Sequence, residues 1–139
     1  MPFIRIWVHL IFSTKNREKI ISSSLKPKLL PHIRENAAVK KIYIDFLNCV
    51  SDHIHILLSL NGGQDISKIA QLIKGESSFW VNQNKLIPVK FEWQDEYIAV
   101  SVSESMVDKV RDYIKNQEEH HRIKTFQEEY DEFMKRYGS

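Results

Sequence analysis

The chain has a single cysteine, Cys49, in 139 residues. One thiol excludes an intramolecular disulfide framework and any cysteine-rich zinc site, and it fits a reducing compartment in which Cys49 is a small buried hydrophobe. An excess of one charge is also lacking: 20 Lys and Arg stand against 18 Asp and Glu, a formal net charge of +2. That near balance argues against a blanket polycation and against an acidic tail protein, so any nucleic-acid site has to be a local patch. No long hydrophobic run is present. The N-terminal FIRIWVHLIF is about half the length a membrane span needs and is interrupted by Arg5 and His9. It lacks the basic start and small-residue cleavage site of a secretion signal, so the expected location is the cytoplasm, with no membrane partner. Internal repeats, coiled-coil heptads and low-complexity linkers are absent too. With 42% hydrophobic and 11% aromatic residues, the chain can bury one core but not two comfortable ones, and residues 1–139 are read as a single domain.

What is present is a succession of strand and helix patterns. Phe3 to Phe12 is rich in β-branched and aromatic residues with a period of two, and STKNR ends the run. This predicts a first strand and then an exposed basic loop holding Lys15 and Arg17. Leu25, Leu29 and Ile33 predict a helix from Ser22 to about Val39, with serines as caps and Pro27 in its first turn. Pro31 fits that helix interior poorly, which leaves a kink or a later start open. KKIYIDFLNCVSDHIHILLSL reads as an antiparallel hairpin turning near Asn48 to Asp52. After NGGQD, Ile66, Ile69, Ala70 and Ile73 predict a second helix to about Trp80, with Asp65 or Ser67 as cap and Gly75 inside it. YIAVSVS is a further strand.

The order βαββαβ is the ferredoxin-like (RRM-like) split arrangement, an α+β fold. Its first and third strands lie at the centre of a four-stranded antiparallel sheet, with helices on one face. Two C-terminal helices follow. Ser105 and Asp108 resemble a capping box for one that runs through Val107, Val110 and Ile114 to about His120. Thr125 and Glu128 resemble another, ahead of an apolar stripe of Phe126, Tyr130, Phe133, Met134 and Tyr137.

The chemistry concentrates in DHIHILLSL. Strand alternation sends Ile54, Ile56 and Leu58 to one face, under the helices, and His53 and His55 to the other, open face. There the imidazoles stand roughly 7 Å apart at the backbone, close enough to share one divalent metal. The same pair also reads as two exposed strand histidines. Downstream, Tyr113 and Gln117 are four residues apart on the expected helix, so both project from one side. Gln117 offers a neutral oxygen ligand and Tyr113 a phenolic oxygen. Tyr113 also reads as an amphipathic ring on the face of Met106 and Val110.

Together these segments resemble the single-tyrosine HUH transposases of the insertion-sequence-200/605 type. The similarity covers nearly the whole chain, in WVHLIFSTKNR, DHIHILLSL, LIKGESSFWVN, FEWQDEYIAVSVS and YIKNQEEHHRIKTFQEEYDEFMKRYG. Glu96 departs from the pattern, where a small residue follows WQD, and this puts the local turn in question. The resemblance implies that His53, His55 and Gln117 hold Mg²⁺ or Mn²⁺ and that Tyr113 is the catalytic nucleophile. The expected reaction is cleavage and rejoining of single-stranded DNA at hairpin-forming ends through a 5′-phosphotyrosine, without a nucleotide cofactor. It further implies a homodimer with composite sites.

Other residues keep two readings. Lys15, Arg17 and Lys74 are the basic residues chosen as DNA contacts; Lys85, Lys90, Arg111, Lys115 and Arg122 offer the same chemistry. His9 belongs to packing or to support of a ligating histidine, Asp52 to a turn, to orienting an imidazole or to binding metal, and His120 and His121 to a helix end or to DNA. Trp7, Trp80 and Trp93 suit the core better than base stacking. Three alternatives remain: a domesticated or repeat-associated HUH nuclease with the same chemistry, a non-catalytic nucleic-acid-binding module on a ferredoxin-like sheet, and an interaction domain in which the histidines are incidental.

Overall fold

The structure is a computed structural model that describes residues 3–117, together with 128, 131, 132 and 135. Four strands, β1 (Ile6–Ser13), β2 (Tyr43–Cys49), β3 (His53–Leu60) and β4 (Ile98–Val102), form one sheet in the order β2-β3-β1-β4. Every pairing is antiparallel, and β1 and β3 are central, as the split arrangement requires.

Helices α1 (Lys26–Val39) and α2 (Ile66–Gln83) cover one face. Val8, Leu10 and Phe12 of β1 and Ile54, Ile56 and Leu58 of β3 point into that layer. They meet Leu29, Ile33 and Ala37 of α1 and Ile69, Ala70, Ile73 and Val81 of α2. α1 continues through Pro31. The missing N–H forgoes one bond, to the carbonyl of Pro27, and the buried side of the helix holds the rest in place. The turn before α1 is closed by Ser22, whose Oγ accepts from the Leu25 amide at 3.1 Å. α2 starts on Asp65, whose carboxylate accepts from the Ser67 amide at 2.8 Å.

The other face is not open. A short helix, α3 (Val107–Lys115), lies across it and buries Val107, Val110, Tyr113 and Ile114 against Trp7, Leu57 and Val102. Nine residues make a marginal helix in isolation, so α3 owes its existence to this packing. Leu57 follows His53 and His55 on the same face, and an apolar side chain there needs a cover.

The expected capping box does not form. A turn of 3-10 helix at Glu104–Met106 leads into α3, and Met106 caps it without a side-chain bond. Asp108 binds Arg111 instead, at 2.8 Å, because a guanidinium is the stronger partner within reach. α3 ends at Lys115, before Gln117 rather than beyond it. Arg122, His120, His121, Thr125 and the apolar stripe of the last expected helix lie outside the described residues, while Glu128, Asp131, Glu132 and Lys135 of that stretch are helical.

One irregularity sets up the site. Between Ile44 and Phe46 the β2–β3 register slips, so Ile44 pairs with Leu58 and Phe46 with Leu57. Asp45 is the extra residue of this bulge. It turns Phe46 and Asn48 onto the face of the histidines, a re-aiming that bulges commonly perform.

Candidate active site

His53 and His55 are fully buried beneath α3, at 0% and 1% exposure. Their neighbours follow from the register: Ser13 lies opposite His53, and Ile11 and Asn48 lie opposite His55 on its two sides. The two rings are 5.2 Å apart, centre to centre, and inclined by 62°. Each is oriented by a partner. Asp52 places a carboxylate oxygen 2.7 Å from Nδ1 of His53. His9, one step along β1, places its Nε2 2.8 Å from Nδ1 of His55. With Nδ1 of both rings engaged in these contacts, Nε2 is the nitrogen on the far side of each ring. A carboxylate or second imidazole behind a histidine is the usual support for a metal ligand.

Asp52 serves the turn as well. Its carbonyl accepts from the amide of Thr14 at 2.8 Å, which locks the hairpin end to β1. Asp52 thus serves the turn and orients an imidazole, and His9 takes the supporting position beside His55.

Tyr113 brings its ring edge-on to this cluster, 5.8 Å from the ring of His55 and 6.4 Å from that of His9. Its helix is fastened at two points. Asn48, opposite His55 on β2, donates from Nδ2 to the carbonyl of Ile114 at 2.9 Å. Arg111 donates to both carboxylate oxygens of Asp45 at 2.7 and 2.9 Å. That bidentate bond raises the pKa of Arg111 further above its already high value. Arg111 is thus committed to the bulge. The sequence signal for these fasteners was faint, since neither Asp45 nor Asn48 sits in a recognisable motif.

Gln117 follows three residues after Ile114, whose carbonyl Asn48 holds. Its side chain is fully buried, and both amide atoms lack a hydrogen-bond partner among the described residues. A buried amide left so costs free energy, and a bound ion or water is the ordinary explanation. No group of three or more His, Cys, Asp and Glu is placed to hold a metal among the described residues. Two imidazoles and the Gln117 amide oxygen would be a donor set of nitrogen and oxygen only, without a thiolate.

The basic residues divide. Lys15 and Arg17 occupy a tight turn directly after β1, at the end of the sheet where His53 lies, and both are exposed. The Lys15 ammonium pairs with Glu92 at 3.3 Å and holds that carboxyl below its ordinary pKa. Lys74 extends from α2 to the carbonyl of Asp95 at 2.6 Å, near the rings of Phe12 and Tyr97. Burial lowers its pKa, with Asp95 acting against the shift. Trp7 and Trp93 are core residues, and Trp80 stacks on His32 with ring centres 3.8 Å apart. Glu96 does not have positive φ, so its loop does not call for glycine there. No helix among the described residues is long and apolar enough to cross a membrane.

Residues 3–117 match the family described as Transposase IS200 like. The ISDra2 transposase TnpA of Deinococcus radiodurans is 26% identical over 114 residues, which is 78% of this chain and 81% of that protein. The transposase for insertion sequence element IS200 of Salmonella typhimurium is 25% identical over 115 residues, 78% of this chain and 74% of its own. Two solved structures share the fold. One is a crystal structure of a Deinococcus radiodurans protein described as a candidate transposase. It has a TM-score of 0.65 and 24% identity, over 84% of this chain and 93% of the other. The second is a REP-associated tyrosine transposase bound to a REP hairpin. Its TM-score is 0.62 at 16% identity, over 87% of this chain and 72% of the other.

Proposed function

Because the chain belongs to the IS200-like transposase family, we propose that it binds hairpin-forming ends of single-stranded DNA and cleaves and rejoins the strand through Tyr113. One observation carries this reading. Tyr113 is anchored by its helix beside His55, His53 and His55 are each oriented through Nδ1, and the Gln117 amide is buried without a hydrogen-bond partner among the described residues.

The residues divide the labour. Nε2 of His53, Nε2 of His55 and the amide oxygen of Gln117 would hold Mg²⁺ or Mn²⁺, which, when bound, polarises the scissile phosphodiester and offsets the charge that develops on its oxygens. Asp52 and His9 keep the two imidazoles in the tautomer that presents Nε2. The oxygen of Tyr113 forms a bond to phosphorus as the bond from phosphorus to the 3′ oxygen breaks. A phenol is a weak nucleophile until its proton leaves, so the phenolic proton passes to solvent while the departing 3′ oxygen takes one up. The phosphotyrosine ester keeps the energy of the broken linkage. A second 3′-OH can then displace the tyrosine and join new ends without a nucleotide cofactor.

Lys15 and Arg17 stand where they can contact phosphates of the incoming strand. Lys74 reaches the strand only from behind the 93–97 loop that it braces. Two copies with composite sites, as the family resemblance implies, belong to this reading; within the one chain described, Tyr113 lies beside His55. A second substrate reading, a hairpin from a dispersed palindromic repeat, is favoured by the fold neighbour bound to a REP hairpin.

The test is a denaturing gel for a covalent protein–DNA adduct, with single-stranded oligonucleotides from the DNA flanking the gene. Wild type forms the adduct with Mn²⁺ and not with EDTA, and Tyr113→Phe forms none. Tight hairpin binding without any adduct would sink the catalytic reading and leave a binding module.

A further inference from the structure

A cavity of about 390 Å³ opens beside the histidines on the β4 side of their face. Its floor is Ile11, Ser13 and Ile98. Ile11 is the cross-strand partner of both His55 and Ile98, and Ser13 is the partner of His53. A group in the cavity is therefore one strand spacing from the buried imidazoles. The wall is polar on one side, with Gln94 and Glu96, and aromatic on another, with Tyr97.

The rim is built rather than incidental. Asn16 and Arg17, which close it, both have left-handed backbone, with φ of 57° and 53°. Consecutive left-handed residues without glycine are costly and persist only where the surroundings hold them. Here the hold is specific. The side-chain oxygen of Gln94 accepts from the amide of Asn16 at 3.1 Å, and the carbonyl of Thr14 accepts from the amide of Arg17 at 2.9 Å. The Gln94 amide in turn donates to the carbonyl of Ser13 at 2.8 Å. Because the oxygen of Gln94 is used, its NH₂ group is the end available to a ligand.

We infer that this cavity is a subsite for one unpaired nucleobase next to the scissile phosphate, selected by Glu96 and Gln94 and stacked on Tyr97. The inference rests on the reading of the chain as a single-strand DNA transesterase. The volume is that of a small-ligand site, enough for a base with its sugar. An aromatic wall accepts the flat face of any base. The discrimination comes from the edge: a carboxylate accepts from an exocyclic amine, and the Gln94 NH₂ donates to the acceptor beside it. Thymine has no such amine, so the pocket disfavours it. Arg17 at the rim is placed for the phosphate that follows.

Two arms test this on the full chain, with hairpin oligonucleotides from the DNA flanking the gene. In the first, the single-stranded nucleotides beside the hairpin are randomised and adduct yield with Mn²⁺ is compared between wild type, Glu96→Gln and Glu96→Ala. Thymine should be disfavoured about tenfold at one position by wild type and within about twofold by Glu96→Ala. Glu96→Gln should alter the preference at that position alone. Glu96 is exposed, so neither change threatens the fold. Identical base profiles for all three proteins would overturn the inference.

The second arm needs no chemistry. In the Tyr113→Phe background, a fluorescent purine analogue is moved along the strand, and its quenching on binding is read with and without Tyr97→Leu. Quenching at one position that Tyr97→Leu relieves supports the pocket even if wild type gives no adduct. In that case only the catalytic reading falls. Quenching insensitive to Tyr97→Leu, or no binding at all, removes the pocket whatever the adduct assay shows.

Discussion

The two faces of the sheet are made from alternate residues of the same strands and solve different problems. Beneath α1 and α2, β1 and β3 contribute only Val, Leu, Ile and Phe, and the layer is a continuous apolar core. Beneath α3, the intervening residues include His9, His53 and His55, with Gln117 entering from the end of the helix, and all four are buried. Burying these groups costs free energy unless each finds a partner. The apolar cover on that side is small, so the first face stabilises a scaffold stiff enough to hold the second in an arrangement that stability alone would not select. Function should then be separable from folding by face.

The largest effect on stability is expected from the scaffold side. Leu29 on α1 is wholly buried, and Leu29→Ala should lower the unfolding free energy by about 2–5 kcal/mol. Below its lowered melting temperature, the folded fraction should still form the Tyr113 adduct at close to the wild-type rate. A parallel loss of adduct per folded molecule would show that the two faces are not separable.

Metal addition should act on the other face alone. Mn²⁺ at about a hundredfold its Kd should stabilise wild type by about 2.7 kcal/mol and leave the double variant His53→Ala, His55→Ala unchanged. Calorimetric or thermal melts with Mn²⁺ and with EDTA read this directly. Gln117→Ala is the sharper probe, because it removes the neutral ligand and keeps both imidazoles. Equal stabilisation of Gln117→Ala and wild type would remove Gln117 from the ligand set.

A third prediction concerns the boundary between the faces. Asn48 fastens the end of α3 to the strand beside His55 through one hydrogen bond of ordinary length. Asn48→Ala should cost only about 1 kcal/mol of stability, yet slow adduct formation about ten- to a hundredfold by letting the tyrosine drift. The metal-dependent stabilisation should survive, since no ligand is changed. A rate loss no greater than the stability loss explains would assign Asn48 to folding alone.

How much of this was legible in the sequence depends on how local the determinant is. The alternation in DHIHILLSL placed the two histidines opposite the isoleucines, whereas the four-residue spacing of Tyr113 and Gln117 assumed one continuous helix and α3 ends at Lys115. Both readings need only the periods of strand and helix. That α3 covers the histidines was signalled by Leu57 and missed, because one apolar residue on an otherwise polar face has several explanations. The bulge at Asp45 left no glycine or proline to mark it, and the Arg111 contact its carboxylate makes comes from a helix over sixty residues away. Asp108 showed the converse error: its spacing from Ser105 looked like a capping box, but a guanidinium three residues on outcompetes a backbone amide. Pro31 is a similar case, where tertiary packing tolerates a residue that local propensity rejects.

The smallest expected effect lies at the start of α3. Glu104 binds the indole N–H of Trp7 and the guanidinium of Arg5, 2.9 Å away, and so ties the turn before α3 to β1 and its leading residues. The Trp7 bond first, and Arg5 after it, hold the Glu104 carboxyl below its ordinary pKa. A carboxyl with a depressed folded-state pKa contributes stability above the unfolded value of 4.5, and that contribution is lost as pH falls through the folded value. Glu104→Gln should therefore flatten the acid side of the stability profile below about pH 4.5 and leave neutral stability little altered, since both partners are exposed or half-exposed. Urea melts from pH 3 to 7 measure it, as an approximate range set by carboxylate titration. An unchanged acid limb would mean that α3 is held by its apolar contacts and the Asn48 and Asp45 fasteners without help from this end, and that the face bearing the histidines is anchored only where the chemistry is.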